Sequence, residues 1–323
     1  MGYPLGVDGL VERLQRGDER ALARAISLVE SGSPSGEALV QGVRTLTGRA
    51  RIIGVTGSPG SGKSTLTDGL IAAARAQGRR VAVVAVDPTS PFSGGAILGD
   101  RIRMTRWHDD PDVFIRSMAT RGHLGGLAAA SLQVLAVLDG AGFDTLLVET
   151  VGVGQSEVDI VGVADTTVLV LTPNAGDAVQ TFKAGIMEIA DIFCVNKFDL
   201  PGGDRLKREI RAAMQLGAFP EGSWKPPVLE AIASRGEGAE AVLEQAEAHR
   251  AHLRAQGLLE ALRRRRVRFE LLAILGETLR RALADREDEA VDAVLAGEIT
   301  PRQVVRRLLE EGASPADPLL ESE

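Results

Sequence analysis

The chain has 323 residues, 44% of them hydrophobic and 25% charged, which gives room for one large domain with additions and excludes a low-complexity or fibrous protein. Its formal net charge of −7 argues against broad nucleic-acid binding. The lone cysteine, Cys194, excludes an internal disulfide, and no apolar run approaches the ~18 residues that a membrane span needs.

The N-terminus, Met1-Gly2-Tyr3-Pro4, lacks the basic-then-apolar pattern of a secretory leader, and Gly6 stands where a myristoylation signal needs Ser or Thr, so a cytoplasmic protein is expected. Residues 1–48 read as a helical extension. Leu10, Leu14, Leu22, Ala25, Ile26 and Val29 recur at helical spacing. Gly17-Asp18 divides two helices, with Asp18 as a candidate N-cap, and Ser31-Gly32-Ser33-Pro34 is a loop before the next helix.

From 49 to 255 strands alternate with helices. The strand Arg51-Ile52-Ile53-Gly54-Val55-Thr56 runs into Gly57-Ser58-Pro59-Gly60-Ser61-Gly62-Lys63-Ser64, which fits the phosphate-binding loop G-x-x-x-x-G-K-[ST], and a helix follows from Thr65. The glycines let backbone N–H groups converge on an anion, and the helix N-terminus adds its dipole. Lys63 would reach the β- and γ-phosphates, and the Ser64 hydroxyl would bind Mg²⁺. Lys63 is one of only five lysines in an arginine-rich chain, and a compact ammonium is not replaceable by a guanidinium fork.

Further apolar runs follow at 81–86, 113–116, 145–148, 167–171, 192–195 and 227–232. Runs that are apolar throughout suit a parallel sheet covered on both faces, so the core is expected to be α/β and doubly wound. Ligands bind at the carboxyl ends of such strands, where Lys63, Asp87, Glu149 and Asn196 fall.

Asn196-Lys197-Phe198-Asp199 fits N-K-x-D at a strand end, about 130 residues after the phosphate loop. The Asp199 carboxylate can accept from the N1–H and the amino group of guanine, whereas adenine leaves it unpaired. Asn196 would hold neighbouring loops, Lys197 would lie over the base, and Ala233-Ser234 would add a backbone contact. Glu149-Thr150-Val151-Gly152 resembles D-x-x-G with Glu for Asp: the carboxylate would act on Mg²⁺ and the Gly152 N–H would sense the γ-phosphate. Asp87 is a second magnesium candidate. Asp100 is placed to position the attacking water or to bind the metal, with a helix N-cap as its alternative role.

Residues 256–323 read as a C-terminal helical arm. Leu258 to Ala284 carries Leu259, Leu262, Phe269, Leu272, Leu279 and Leu283 on a broad stripe that is expected to be buried. Thr300-Pro301-Arg302-Gln303 starts a last helix with a capping box, and the tail after Gly312 is expected to fray. His108, His123, His249 and His252 make no metal site, and His249 and His252 are expected on a solvent face. Arg263 to Arg266 is expected on a solvated face or a dimer contact. Arg101, Arg103 and Arg121 flank the switch candidates, and one of them could serve as an arginine finger.

Gly54 to Thr65, Ala85 to Ser90, Gly94 to Met104, Arg116 to Gly122 and the string Val148-Glu149-Thr150-Val151-Gly152-Val153-Gly154-Gln155-Ser156-Glu157 resemble the methylmalonyl-CoA mutase-associated GTPases of the MeaB/ArgK type. The resemblance runs from about residue 35 to 285. It implies a homodimeric, Mg²⁺-dependent GTPase, cycling GTP and GDP, that acts as chaperone of an adenosylcobalamin-dependent acyl-CoA mutase, gates cofactor loading and protects the mutase. It implies dimerisation through the C-terminal helices and a switch loop at 173–183, with Gln155, Asp177, Gln180 and Lys183 as candidates for coupling. Two other readings share the core: a nickel-inserting metallocentre GTPase and a kinase or transport ATPase. The first lacks a His/Cys cluster, and N-K-F-D opposes the second.

Overall fold

The structure, a computed structural model, describes residues 6–87, 104–119, 129–150, 156–173, 186–216, 219–284 and 286–312. The chain forms two compact units, Met1–Val267 and Arg268–Glu323. In the first, seven strands make one parallel sheet: β1 (Arg51–Thr56), β2 (Val81–Asp87), β3 (Val113–Ala119), β4 (Thr145–Thr150), β5 (Thr166–Leu171), β6 (Ile192–Val195) and β7 (Val228–Glu230). Their spatial order is β3-β2-β4-β1-β5-β6-β7. β1 is thus flanked by β4 and β5, with Arg51 opposite Thr145 and Thr56 opposite Leu169. The fully apolar runs are explained by this position: every residue of β4, β5 and β6 is buried.

Helices α1 (Val7–Gln15), α2 (Glu19–Glu30) and α3 (Pro34–Val43) pack on one another, and α2 and α3 pack on α5 (Ala129–Gly140). Asp18 caps α2 by accepting from the Ala21 amide at 3.0 Å, as its position predicts. Ser33 caps α3 in the same way, with Pro34 in its first turn. The helix α4 (Lys63–Ala76) leaves the phosphate loop and buries Leu66, Leu70 and Ile71. Helix α6 (Ser156–Val163) lies beside β1, and its Ile160 closes on Gly54, where an added Cβ would sit 2.6 Å from the isoleucine. Helix α7 (Gly203–Leu216) covers β6 and β7. Helix α8 (Ala239–Ala255) packs on α4, β5 and β6 and completes the core with Val242, Leu243 and Ala246.

Helix α9 (Leu259–Ala284) runs from the first unit into the second, which also holds α10 (Glu287–Leu295) and α11 (Pro301–Gly312). In the single chain the stripe expected to be buried is open: Leu272 is 62% exposed, and the other five stripe residues are only half-buried. Leu271 and Leu275 are exposed as well. The capping box at α11 is present: the Thr300 N–H donates to Gln303 Oε1 at 2.8 Å and the Gln303 N–H to Thr300 Oγ1 at 3.3 Å. The tail expected to fray lies outside the described residues.

The arginine run lies on a solvated face, as expected, except at Arg266. Arg263 donates to the Gly48 carbonyl at 3.0 Å, and Arg266 donates to Val163 O and to Asp165 at 2.7 and 2.8 Å. These bonds fasten the start of α9 to the turn before β1 and to the end of α6, while Arg263, Arg264 and Arg265 stay exposed as expected and only Arg266 is half-buried.

Candidate nucleotide site

The loop Gly57–Gly62 folds as it does because its glycines have no Cβ. Gly57 has φ 141°, and a Cβ there would meet the Val170 carbonyl oxygen of β5 at 2.2 Å. Gly62 has φ 91°, and its Cβ would meet Asn196 Nδ2 at 2.3 Å. Gly60, by contrast, has open space around it and is exposed with its neighbour Pro59. The loop is therefore gripped at both ends and open at its crest.

Lys63, 6% exposed, donates through Nζ to the carbonyls of Gly57 at 2.7 Å and Ser58 at 3.0 Å. The ammonium lies inside the loop rather than out in solvent. Ser64 Oγ donates to Glu149 Oε1 at 2.6 Å, and both side chains are buried. β1 and β4 are bonded neighbours, so Ser64, in the first turn of α4, and Glu149, near the end of β4, are brought together across 85 positions of sequence. This pair of hard oxygen donors fits Mg²⁺ in chemistry. Behind it, Thr150 Oγ1 donates to Thr56 Oγ1 at 3.0 Å, which fixes the two strand ends to each other. Thr65 is exposed on the first turn of α4, and the buried hydroxyl of Ser61 has no hydrogen-bond partner among the described residues.

Asn196, 2% exposed, is the central tie. Its Nδ2 donates to Ser61 O at 2.8 Å, and its Oδ1 accepts from the Ala233 amide at 3.0 Å. One side chain thus joins the phosphate loop to the loop after β7. Lys197 has φ 55° and is the only non-glycine with positive φ among the described residues. Such a backbone costs about 1–3 kcal/mol and gathers at functional sites. Its Nζ donates to Gly60 O at 2.8 Å, so the lysine stem spans the crest of the loop. Asp199 stands partly exposed, 3.7 Å from the Arg235 guanidinium, and Ser234 is exposed beside it. Phe198 turns the other way and packs on Gly203 and the cluster of Leu206 and Ile210.

The structure brings Gly57 to Ser64, Glu149, Asn196 to Asp199 and Ala233-Ser234 to one end of the sheet. Asp87 ends β2 opposite Ala119, and its side chain lies outside the described residues, as do Asp100, Gly152, Gln155, Asp177, Gln180, Lys183 and the candidate fingers Arg101, Arg103 and Arg121. Sequence reasoning missed the Thr56–Thr150 bond and the Arg235–Asp199 pair. Thr150 was visible inside the E-T-V-G string, whereas nothing marked Arg235.

His249 corrects a further expectation. It is 4% exposed, with Nδ1 2.9 Å from Thr166 Oγ1 and its ring against Trp224. Burial pushes its pKa down to about 4, and burial raises that of neighbouring Asp191 to about 6. Among the described residues no group of His, Cys, Asp and Glu is placed to hold a metal through three or more side chains. Cys194 is buried as expected, and burial raises its thiol to about 12.

The sequence profile of "Methylmalonyl Co-A mutase-associated GTPase MeaB" matches residues 22–288. The chain belongs to this family. Among MeaB relatives, "Putative GTPase PH0274" of Pyrococcus horikoshii is 47% identical over 94% of this chain and 98% of its own length. "GTPase ArgK" of Escherichia coli is 32% identical over 93% and 95%. A mouse protein named "Methylmalonic aciduria type A homolog, mitochondrial" is 35% identical over 80% of this chain and 66% of its own length. A solved structure titled as a LAO/AO transport system kinase superposes with TM-score 0.72 at 25% identity, covering 97% of this chain and all of that one. The MeaB chain therefore has the P-loop GTPase fold, and guanine-nucleotide binding goes with its family.

Proposed function

We propose that this MeaB-family chain is a Mg²⁺-dependent GTP hydrolase that serves as chaperone of an adenosylcobalamin-dependent acyl-CoA mutase, with methylmalonyl-CoA mutase as the first candidate. The observation that carries the reading is the Asn196 tie. Through two hydrogen bonds Asn196, the first residue of the N-K-x-D turn, ties the G-x-x-x-x-G-K-S loop at Ser61 to the turn after β7 at Ala233. Gly57 to Thr65 would cradle the phosphates, with Lys63 turning from its loop carbonyls to the β- and γ-oxygens. Asp199 would accept from N1–H and the amino group of guanine, Lys197 would cover the base, and the Ala233-Ser234 backbone would close its edge. Ser64 and Glu149, with Asp87 or Asp100, would hold Mg²⁺, whose charge would offset that of the phosphates.

Hydrolysis would proceed by in-line attack of water on the γ-phosphate, with Asp100 orienting the water and the Gly152 amide reading the phosphate. Gln155, Asp177, Gln180 and Lys183 would carry the nucleotide state to the mutase. The family name and the mouse relative's name support the mutase partnership. The chain would work as a homodimer in the cytoplasm. The test is GTP turnover by the purified protein with and without the mutase of the same organism, with ATP in parallel. Stimulated GTP turnover with inert ATP supports the reading. Turnover indifferent to any mutase leaves a GTPase whose partner is misassigned.

A further inference from the structure

The amino ends of the strands, at the other end of the sheet from the nucleotide site, gather arginines. Arg51 opens β1, Arg79 precedes β2, and Arg250 and Arg254 lie one turn apart on α8. Arg51 and Arg79 share one carboxylate of α8: Arg51 Nη1 lies 3.8 Å from Glu247 Oε1, and Arg79 pairs with the same oxygen. Arg49, Arg250, Arg254 and Arg263 have no carboxylate in ion-pair contact among the described residues. Arg250 and Arg263 instead donate to the main-chain carbonyls of Arg49 and Gly48, at 3.1 and 3.0 Å. The Nε of Arg250 is buried and has no hydrogen-bond partner among the described residues. Three further carboxylates act on this group, Asp144 on Arg51 and Asp139 and Asp165 on Arg250. Each is already committed elsewhere. Asp139 accepts from the amides of Gly48, Arg49 and Ala50, Asp165 from the Ile52 amide and from Arg266, and Asp144 from the Arg80 amide.

Guanidiniums gathered in this way repel one another. Burial lowers the pKa of Arg250, with Asp165 opposing the fall and Arg51 and Arg254 adding to it; burial first, and Arg79 second, lower that of Arg51. An arginine keeps its proton near neutral pH, so the cost is relieved by an anion and not by neutralisation. The dipole of α8 favours a cation in its last turn and accounts for Arg254, but not for Arg49 or Arg263, which stand on other segments. We propose that this arginine face is a docking surface for an acidic segment of a partner protein. Arg49, Arg254 and Arg263 are exposed around the half-buried Arg250, so the cations form an open face that meets several carboxylates at once. Each guanidinium fork matches a carboxylate through two parallel hydrogen bonds. The chain's net charge of −7 repels a long polyanion such as nucleic acid, whereas a short acidic segment meets mainly the local arginines. The face lies the length of β1, about 20 Å, from the phosphate loop, so docking leaves the nucleotide pocket open. The surface does not depend on the GTPase reading.

The experiment is fluorescence anisotropy of a labelled decaglutamate peptide titrated with the full chain, with decathymidylate as the rival polyanion. The expected result is saturable peptide binding that weakens about tenfold as salt rises from about 50 to about 300 mM and that is the same with and without GDP. Arg250→Glu with Arg254→Glu is expected to weaken binding by about tenfold or more, while Arg208→Glu with Arg211→Glu, an equal change of charge on exposed positions of α7, leaves it within about twofold. Because Arg250 is half-buried and its reversal strains the fold, Arg49→Ala with Arg254→Ala, both exposed, is the second variant. It is expected to lose about threefold in affinity at an unchanged melting temperature. A wild type that does not bind the peptide overturns the inference, and so does an equal loss in the α7 variant, which would mark general charge attraction. Decathymidylate bound more tightly than the peptide would overturn the choice of a protein partner and give the face to nucleic acid.

Discussion

In the proposed reading Asp199 is the side chain on which nucleotide choice depends, so a one-atom change there should redirect it. Its carboxylate is only partly exposed, and its charge is met by Arg235 at 3.7 Å. A carboxylate accepts from two donors on guanine, whereas an amide offers one acceptor and one donor. Asp199→Asn should therefore lose GTP affinity by roughly 10²-fold or more and gain xanthosine triphosphate, whose 2-oxo group accepts where guanine donates. Competition binding with both nucleotides checks this, and a variant that still prefers GTP would remove Asp199 from the base site. The residues that the structure gathers at this end of the sheet were legible in sequence because most of them belong to contiguous strings, such as Gly57 to Ser64 or Asn196 to Asp199. Pairings made across long separations were not legible. Asp68 meets Trp107 across 39 positions, and Thr56 meets Thr150 across 94, with no local pattern to announce either.

At the scale of elements, the strands were legible because a sheet covered on both faces leaves no polar alternation to confuse the reading. The buried face of α8 was misjudged at His249, since a histidine three residues before another looks like a solvated pair. The structure instead seals His249 against β5 and against Trp224. This has a pH consequence. Burial first, and repulsion from His252 second, hold His249 down at about 4, against 6.5 in an unfolded chain. The unfolded state then binds its proton first, so stability is lost as pH falls from 6.5 to 4, by on the order of 3 kcal/mol. Asp191 works in the opposite direction: burial raises it to about 6, so its stability contribution is complete below 3.8 and is lost as pH rises towards 6. Its carboxylate lies 3.5 Å from His249 Nε2 but becomes neutral below pH 6, where an imidazolium would need it. The two effects largely mask each other in the wild type. His249→Gln should therefore gain in melting temperature relative to the wild type as pH drops from 7 to 5, while Asp191→Asn should gain as pH rises over 4 to 7. Differences that stay flat across these ranges would mean that neither group is desolvated as the structure has it.

For the whole molecule, the informative surface is the one a single chain leaves open. Leu271 and Leu272 are each 62% exposed and Leu275 is 49% exposed, close together on one long helix. Isolated exposed leucines are ordinary, but a run of them on one helix marks an interface. The sequence stripe pointed to this helix and to its burial, without saying what would cover it. Period and composition report that a face is apolar, not which molecule it meets. With the proposed homodimer, the second copy supplies the cover. Wild-type protein should then sediment as a dimer at micromolar concentration, and Leu271→Glu with Leu272→Glu should shift it to monomer while leaving GDP affinity within twofold, because neither residue belongs to the nucleotide pocket. A wild type that sediments as a monomer, with a stripe that becomes protected only when the mutase is added, would reassign this surface from the second copy to the mutase. A monomer protected by neither would remove the arm from both interfaces.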